Sequence, residues 1–336
     1  MIDLRSDTVT RPTPAMLQAM MQAQTGDDVF KEDPTINLLE AKCAALFNME
    51  AALFCSSGTQ TNQIAIKCHT RPGDEVICEA EAHIYQYEAG GIAFNSGASV
   101  RLLPGDRGRI NAAQVKAAIN PDDVHKPPSR LVCIENTSNR GGGSCYHFEE
   151  LEKIQSVCKE HQLALHLDGA RLFNAIVAKN EAPAQYGKLF NSISICFSKS
   201  LGCPVGSILL GTREFINQAR RVRKILGGGM RQAGYLAAAA IYALDHHVER
   251  LATDHRHAQM IAEALEASRW VQTVLPVATN IIIFETKAIT AKELVGKLKA
   301  QGILCNAISA DRIRFVLHLD ISPQMAATVI KTIQSL

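Results

Sequence analysis

Ser192-Ile-Ser-Ile-Cys-Phe-Ser-Lys199-Ser-Leu-Gly-Cys-Pro-Val-Gly-Ser207 is the stretch on which the reading of this chain turns. Ile193, Ile195 and Phe197 alternate with Ser192, Ser194 and Cys196, a period of two that predicts a strand. The strand runs into a lysine and then into a loop broken by Gly202, Pro204 and Gly206. A lysine held in a desolvated pocket gives up its proton readily and attacks carbonyls to form a Schiff base. A lysine at a strand end can equally carry its ammonium out to solvent on its apolar stem. The residues that neighbouring strands bring beside Lys199 separate the two readings.

Upstream, Leu163-Ala-Leu-His-Leu-Asp168-Gly-Ala-Arg171 is a second strand that ends in a charge. Five more apolar runs read as strands: Ala51–Cys55, Glu75–Cys78, Val100–Leu103, Leu131–Glu135 and Ser207–Leu210. Helical patterns lie between most of them, such as Phe148–Glu160 with Leu151, Ile154, Val157 and Cys158 on one face. Strands alternating with helices predict an α/β fold with a mostly parallel, doubly covered seven-stranded sheet. Ligands of such sheets bind at the carboxyl edge of the strands, where Asp168 and Lys199 would both stand. Asp168 there can balance a cationic ring nitrogen, ligate a metal or cap the following helix. After Gly211 come a basic helix, a Gly227-Gly-Gly-Met-Arg231 loop, an alanine-rich helix and a long helix to about residue 267. Strands Asn280–Glu285, Ile303–Ala307 and Ile313–Leu317 with two helices then make a smaller α+β unit. The expected division is an arm and large domain over residues 1–249 and a small domain over 250–336.

The 336 residues carry a net charge of +2, too little to argue for a nucleic-acid or membrane-surface partner, and no apolar run approaches a membrane span. The start, Met1-Ile-Asp-Leu-Arg-Ser-Asp7, has no apolar signal core, and the ten cysteines form no C-x-x-C pair. Both features predict a cytoplasmic protein with reduced thiols. Arg220-Arg-Val-Arg-Lys224 reads as a solvated helix face or a subunit contact.

Ser56-Ser57-Gly58-Thr59-Gln60 follows a strand and opens a helix, so its N–H groups and hydroxyls can cradle a phosphate at the positive helix end; such turns are also ordinary helix starts. Neither the P-loop nor the dinucleotide fingerprint occurs in the chain. His83 lies just past a strand at the same edge, where an imidazole can stack on an aromatic cofactor, move a proton or serve structure. His125 lies in a loop and carries a weaker signal of the same kind. No histidine shows zinc spacing, so no metal is expected.

Ser6-Asp-Thr-Val-Thr-Arg-Pro, Gly26-Asp-Asp-Val29, Glu32-Asp-Pro-Thr35, Ser57-Gly-Thr-Gln60, His83, Glu135-Asn-Thr137, Asp168-Gly-Ala-Arg171, Ser198-Lys199 and Gly227-Gly-Gly-Met-Arg-Gln232 run nearly end to end. Together they resemble the low-specificity L-threonine aldolases, pyridoxal 5'-phosphate enzymes of the aspartate-aminotransferase fold (fold type I). The resemblance implies that Lys199 carries the cofactor as a Schiff base, that Asp168 pairs with its ring nitrogen and that His83 stacks on the ring. It implies that Ser57, Gly58 and Thr59 hold the phosphate and that Arg171 also lies on the cofactor, with Arg231 reaching in from a neighbouring subunit of a homodimer or homotetramer. Ser6, Arg171 and Arg314 would bind the substrate carboxylate, and His83 or His125 would take the β-hydroxyl proton.

The activity so implied is cleavage of L-threonine, L-allo-threonine and related β-hydroxy-α-amino acids to glycine and an aldehyde. The alternatives are a β-eliminating lyase using the same constellation, and a binding protein of this fold that has lost catalysis. There are three departures from the family pattern. Phe30-Lys31 stand where a tyrosine and a glycine are common, Ser138 where a histidine is, and Ser200 where a glycine follows the lysine. The resemblance implies that Phe30 stands near the substrate side chain as a substrate-binding residue.

Overall fold

Continuous apolar runs need cover on both faces, and the chain supplies it with helices on either side of one large sheet. The computed structural model describes residues 1–336. Strand β1 (Ile2–Asp3) stands apart from the seven that follow: β2 (Ala51–Cys55), β3 (Glu75–Glu79), β4 (Ser99–Leu103), β5 (Ser129–Glu135), β6 (Ala164–Gly169), β7 (Ser192–Cys196) and β8 (Ser207–Gly211). These seven form a single sheet in the order β2-β8-β7-β6-β5-β3-β4. All pairings from β7 to β4 are parallel, whereas β8 runs antiparallel to both of its neighbours. Two reversals cancel, so β2 runs with the parallel strands and Ser56–Gly58 emerge at the same carboxyl edge as Asp168 and Lys199. The fold class is therefore that of the α/β expectation, and β4, at the sheet's edge, is its most exposed strand.

A second apolar core is built on β9 (Val271–Val274), β10 (Ile281–Thr286), β11 (Ile303–Leu304), β12 (Asn306–Ala307) and β13 (Arg312–Val316). The antiparallel order is β12-β13-β10-β9. The helix Leu251–Glu266 joins the two units, with Leu251 in the first core and Ala258, Ile261 and Leu265 in the second.

Two features differ from the sequence expectation. The expected strand over 303–307 is divided: Ile303–Leu304 pairs in parallel with β1, and Asn306–Ala307 joins β13. The start of the arm thus belongs to the C-terminal unit, since Ile2 and Leu4 are buried in its core. Val271–Val274, which the sequence pattern did not mark, is an edge strand with two exposed residues, too short and too polar to show an alternation.

Candidate active site

Asp168 is the last side chain before the β6 turn, and Gly169 beside it is tightly confined: a Cβ there would meet the Ser194 carbonyl at 2.7 Å. The Asp168 carboxylate is buried, takes the Ala170 N–H on Oδ1 at 3.1 Å and the Asn62 amide on Oδ2 at 3.0 Å. Lys199 follows β7 in the turn beyond Ser198; its Nζ has no hydrogen-bond or ion-pair partner in the chain. Asp7 and His83 both sit close enough to feel its charge. A half-buried lysine without a partner, close to the buried Asp7 carboxylate, is compatible with a reactive amine.

His83 opens a one-turn helix after β3 and is pinned twice, its backbone N–H on Glu135 Oε2 at 2.8 Å and its Nδ1 on Glu88 Oε1 at 3.1 Å. Burial pulls the imidazole toward its neutral form. The Glu88 hydrogen bond and the Asp168 charge outweigh that, so its pKa is raised. Ligand atoms of His83, Glu88 and Asp168 lie within 4.8 Å of one another, but the two amide hydrogens of Asn62 already occupy the same two carboxylates. Tyr87 packs on His83 with ring centroids 5.6 Å apart.

The helix Gly58–His69 begins at the same edge, capped by Ser57 Oγ on the Gln60 N–H at 3.2 Å. The N–H groups of Gly58 and Thr59 have no acceptor in the chain, so the helix start offers an anion two free donors and the positive end of its dipole. A Cβ on Gly58 would lie 2.4 Å from Cys196 Sγ, so only glycine lets the turn pack this closely on β7.

Arg171 and Arg314 converge from opposite units on the arm. Arg171 holds the fully buried Asp7 with two hydrogen bonds, Nε at 2.7 Å and Nη2 at 2.8 Å, and its Nη1 is left without a partner. Burial alone would raise the Asp7 carboxyl, but the Arg171 guanidinium, with Lys199 and Ser200 behind it, holds it well below the usual range. Arg314 gives Nη1 to Asn139 at 2.7 Å and Nη2 to the Arg5 carbonyl at 3.1 Å, while its buried Nε has no partner. Burial first, then the like charge of Arg171, lowers its pKa to about 10. Two guanidiniums with unspent donors, Arg314 lowered by the charge of Arg171, make a site that gains from an anion. Ser6 lies between Arg5 and Asp7, the two arm residues these guanidiniums hold; its Oγ caps the turn Asp7–Val9 by accepting from Thr8, which leaves its own O–H to donate.

Three residues named from the sequence are not brought to this crevice within one chain. His125 lies in the loop before β5, at the opposite edge of the sheet, exposed and paired with Asp123 at 2.8 Å. Phe30 is 69% exposed, and Arg231 bonds Asp27 at 2.9 Å while its carbonyl takes the Asp28 N–H. Phe30 and Arg231 therefore share one outer face. Asp7, Asn62, Glu88, Tyr87 and Glu135 were given no role from the sequence, although Asp7 and Glu135 stand in the quoted motifs. Only Glu135 carried a signal, as an acid at a buried strand's end; its pKa is raised by burial and then by Asp168.

Unspent N–H donors, a buried acid, an unpaired lysine and an imidazole at one sheet edge suit a phosphorylated aromatic aldehyde. The sequence profile of the beta-eliminating lyase family matches residues 3–289. A low specificity L-threonine aldolase of Escherichia coli (strain K12) is 43% identical over 332 residues, covering 98% of this chain and 97% of its own. Low-specificity L-threonine aldolase 1 of Arabidopsis thaliana is 41% identical over 329 residues, 96% of this chain and 92% of its own. A threonine aldolase structure from Leishmania major superposes with a TM-score of 0.87 at 23% identity, covering 100% of this chain and 99% of that one, and supports the fold. With full-length identity of this order, the chain belongs to the beta-eliminating lyase family and, within it, to the low-specificity L-threonine aldolases.

Proposed function

We propose that this protein is a pyridoxal phosphate-dependent carbon–carbon lyase that splits L-threonine, L-allo-threonine and related β-hydroxy-α-amino acids into glycine and an aldehyde. The observation that carries the reading is the pair of under-used guanidiniums, Arg171 and Arg314, beside Lys199 and Asp168. Bound on Lys199, the cofactor supplies an electron sink for the pair released from the broken Cα–Cβ bond. Gly58 and Thr59 N–H would hold its phosphate, Asp168 would keep its ring nitrogen protonated, and His83 would cover the ring.

The remaining work falls to the chain's own groups. Arg171 Nη1, the Arg314 guanidinium and the Ser6 hydroxyl grip the substrate carboxylate, which fixes the amino acid's orientation and so selects the bond that breaks. His83 Nδ1 is committed to Glu88, so Nε2 is the nitrogen free to take the β-hydroxyl proton. The outer face of Phe30 and Arg231 would dock on a second copy, putting Arg231 at the partner's phosphate site, and His125 would likewise have to come from another copy. A cytoplasmic setting is supported by ten unpaired cysteines and by the lack of a helix long and apolar enough to cross a membrane.

Incubation with L-threonine should yield glycine and acetaldehyde in equal amounts, and Lys199→Ala should abolish both the products and the cofactor's yellow colour. Release of a keto acid and ammonia would make it a β-eliminating lyase, and no turnover with intact colour would make it a binding protein.

A further inference from the structure

Asn62 sits one turn beyond Gly58 on the helix Gly58–His69, 2% exposed, where a side-chain amide must find partners for every atom. Both of its amide hydrogens go to carboxylates, Glu88 Oε1 at 2.9 Å and Asp168 Oδ2 at 3.0 Å. Its oxygen, which can only accept, faces His166 Nε2 at 3.2 Å, so His166 carries a hydrogen there. Burial holds His166 neutral, its pKa lowered to about 4, which leaves Nδ1 bare to accept from Ser192 Oγ at 2.8 Å. The one hydrogen of Ser192 is thereby used, so His69 Nε2, 2.8 Å away, donates to it. Every group in the sequence His69, Ser192, His166, Asn62 has a single direction left, and the chain ends on two acids.

At its far end Glu88 has no exposed side-chain surface; it takes Gln63 Nε2 at 2.6 Å and holds His83 Nδ1. We propose that Asn62 is a positioning residue that couples the two halves of the site, setting the Asp168 carboxylate and, through Glu88, the His83 ring, and that the His69–Ser192–His166 chain orients Asn62. The proposal rests on the reading of Asp168 and His83 above. The groups that face His83 are Glu88 on its own segment, Asp168 on β6, Glu135 on β5, Lys199 after β7 and the Tyr87 ring. Of these, Asn62 satisfies Glu88 and Asp168, so removing it leaves both with more charge to place on the imidazole.

The test uses the full-length, cofactor-loaded protein with histidine selectively labelled with nitrogen-15. In the wild type, His166 should give the Nε2–H tautomer and stay neutral from pH 6 to 9; an Nδ1–H tautomer or an imidazolium would overturn the direction of the chain, whatever any variant does. Asn62→Leu should raise the His83 titration midpoint by roughly one pH unit, weaken pyridoxal phosphate binding about tenfold and lower kcat more than it alters KM. A folded Asn62→Leu protein with an unchanged His83 midpoint and cofactor affinity sinks the proposal. His166→Gln, which can still accept from Ser192 and donate to Asn62, should keep the wild-type midpoint where His166→Leu shifts it; equal behaviour of the two would count against it. Failure of the aldolase reading would show as missing glycine and leave the tautomer and titration results standing.

Discussion

Ser200 stands where the resemblance leads one to expect a glycine, and its hydroxyl is bonded on three sides. It donates to Asp7 Oδ2 at 2.8 Å and accepts from Asn280 Nδ2 at 3.1 Å and Asn174 Nδ2 at 3.4 Å. It thereby braces the carboxylate that fixes Arg171. Ser200→Gly should raise KM for L-threonine roughly tenfold or more, the worth of one hydrogen bond to a charged group, with kcat within about twofold. A fall in kcat at constant KM would mean that Ser200 serves the Lys199 turn instead. Lys199 and Asp168 were legible from the sequence because a charge ending a buried strand is costly and stands out. Asp7 was not, because its partner lies 164 positions away and a lone acid in a turn-rich arm resembles any cap. Arg314 was legible only through resemblance, since the groups that leave its Nε unspent come from the arm and from Asn139.

The strand β2, the Ser57 turn and the helix Gly58–His69 act as one element, and its fit depends on a missing methyl. Gly58→Ala should weaken pyridoxal phosphate binding about tenfold or more by pushing the turn off Cys196, while Cys196→Ala in the same chain should return most of the loss. Equilibrium titration of the four proteins measures this; additive effects would mean that the two side chains do not meet. The seven strands of the large sheet were readable because each is an apolar run closed by turn residues. The two-residue strands β1, β11 and β12 were not, because two residues cannot show a period and their pairing is set by partners far along the chain.

Across the whole molecule, buried neutral histidines make the fold sensitive to acid. His166 is held to about 4 and His255 to about 4, against 6.5 for the free side chain, by burial. As pH falls through 6.5 the unfolded chain takes up protons that the folded one refuses, so their stabilisation is complete above 6.5 and lost progressively toward 4. For His166 the loss comes to about 3 kcal/mol. His83, whose pKa is raised, works in the opposite sense. Denaturation midpoints at pH 7.5 and 5 should therefore differ less in His166→Gln than in the wild type; an equal difference would place His166 in contact with water. A site shared between subunits, as proposed, would show as complementation: Lys199→Ala and Arg231→Ala proteins, each weak alone, should recover about a quarter of wild-type activity when co-refolded as equal mixtures. No recovery, once native mass spectrometry shows mixed dimers, would assign Arg231 to its own chain. The pairing of β1 with β11 also sets a timetable for synthesis. Ile2 and Asp3 cannot find Ile303 and Leu304 until the C-terminal unit has been translated, a delay on the order of tens of seconds. Until then the Arg5 carbonyl has no Arg314 to hold, so a nascent chain can finish its large sheet while the arm is still untethered from the C-terminal unit.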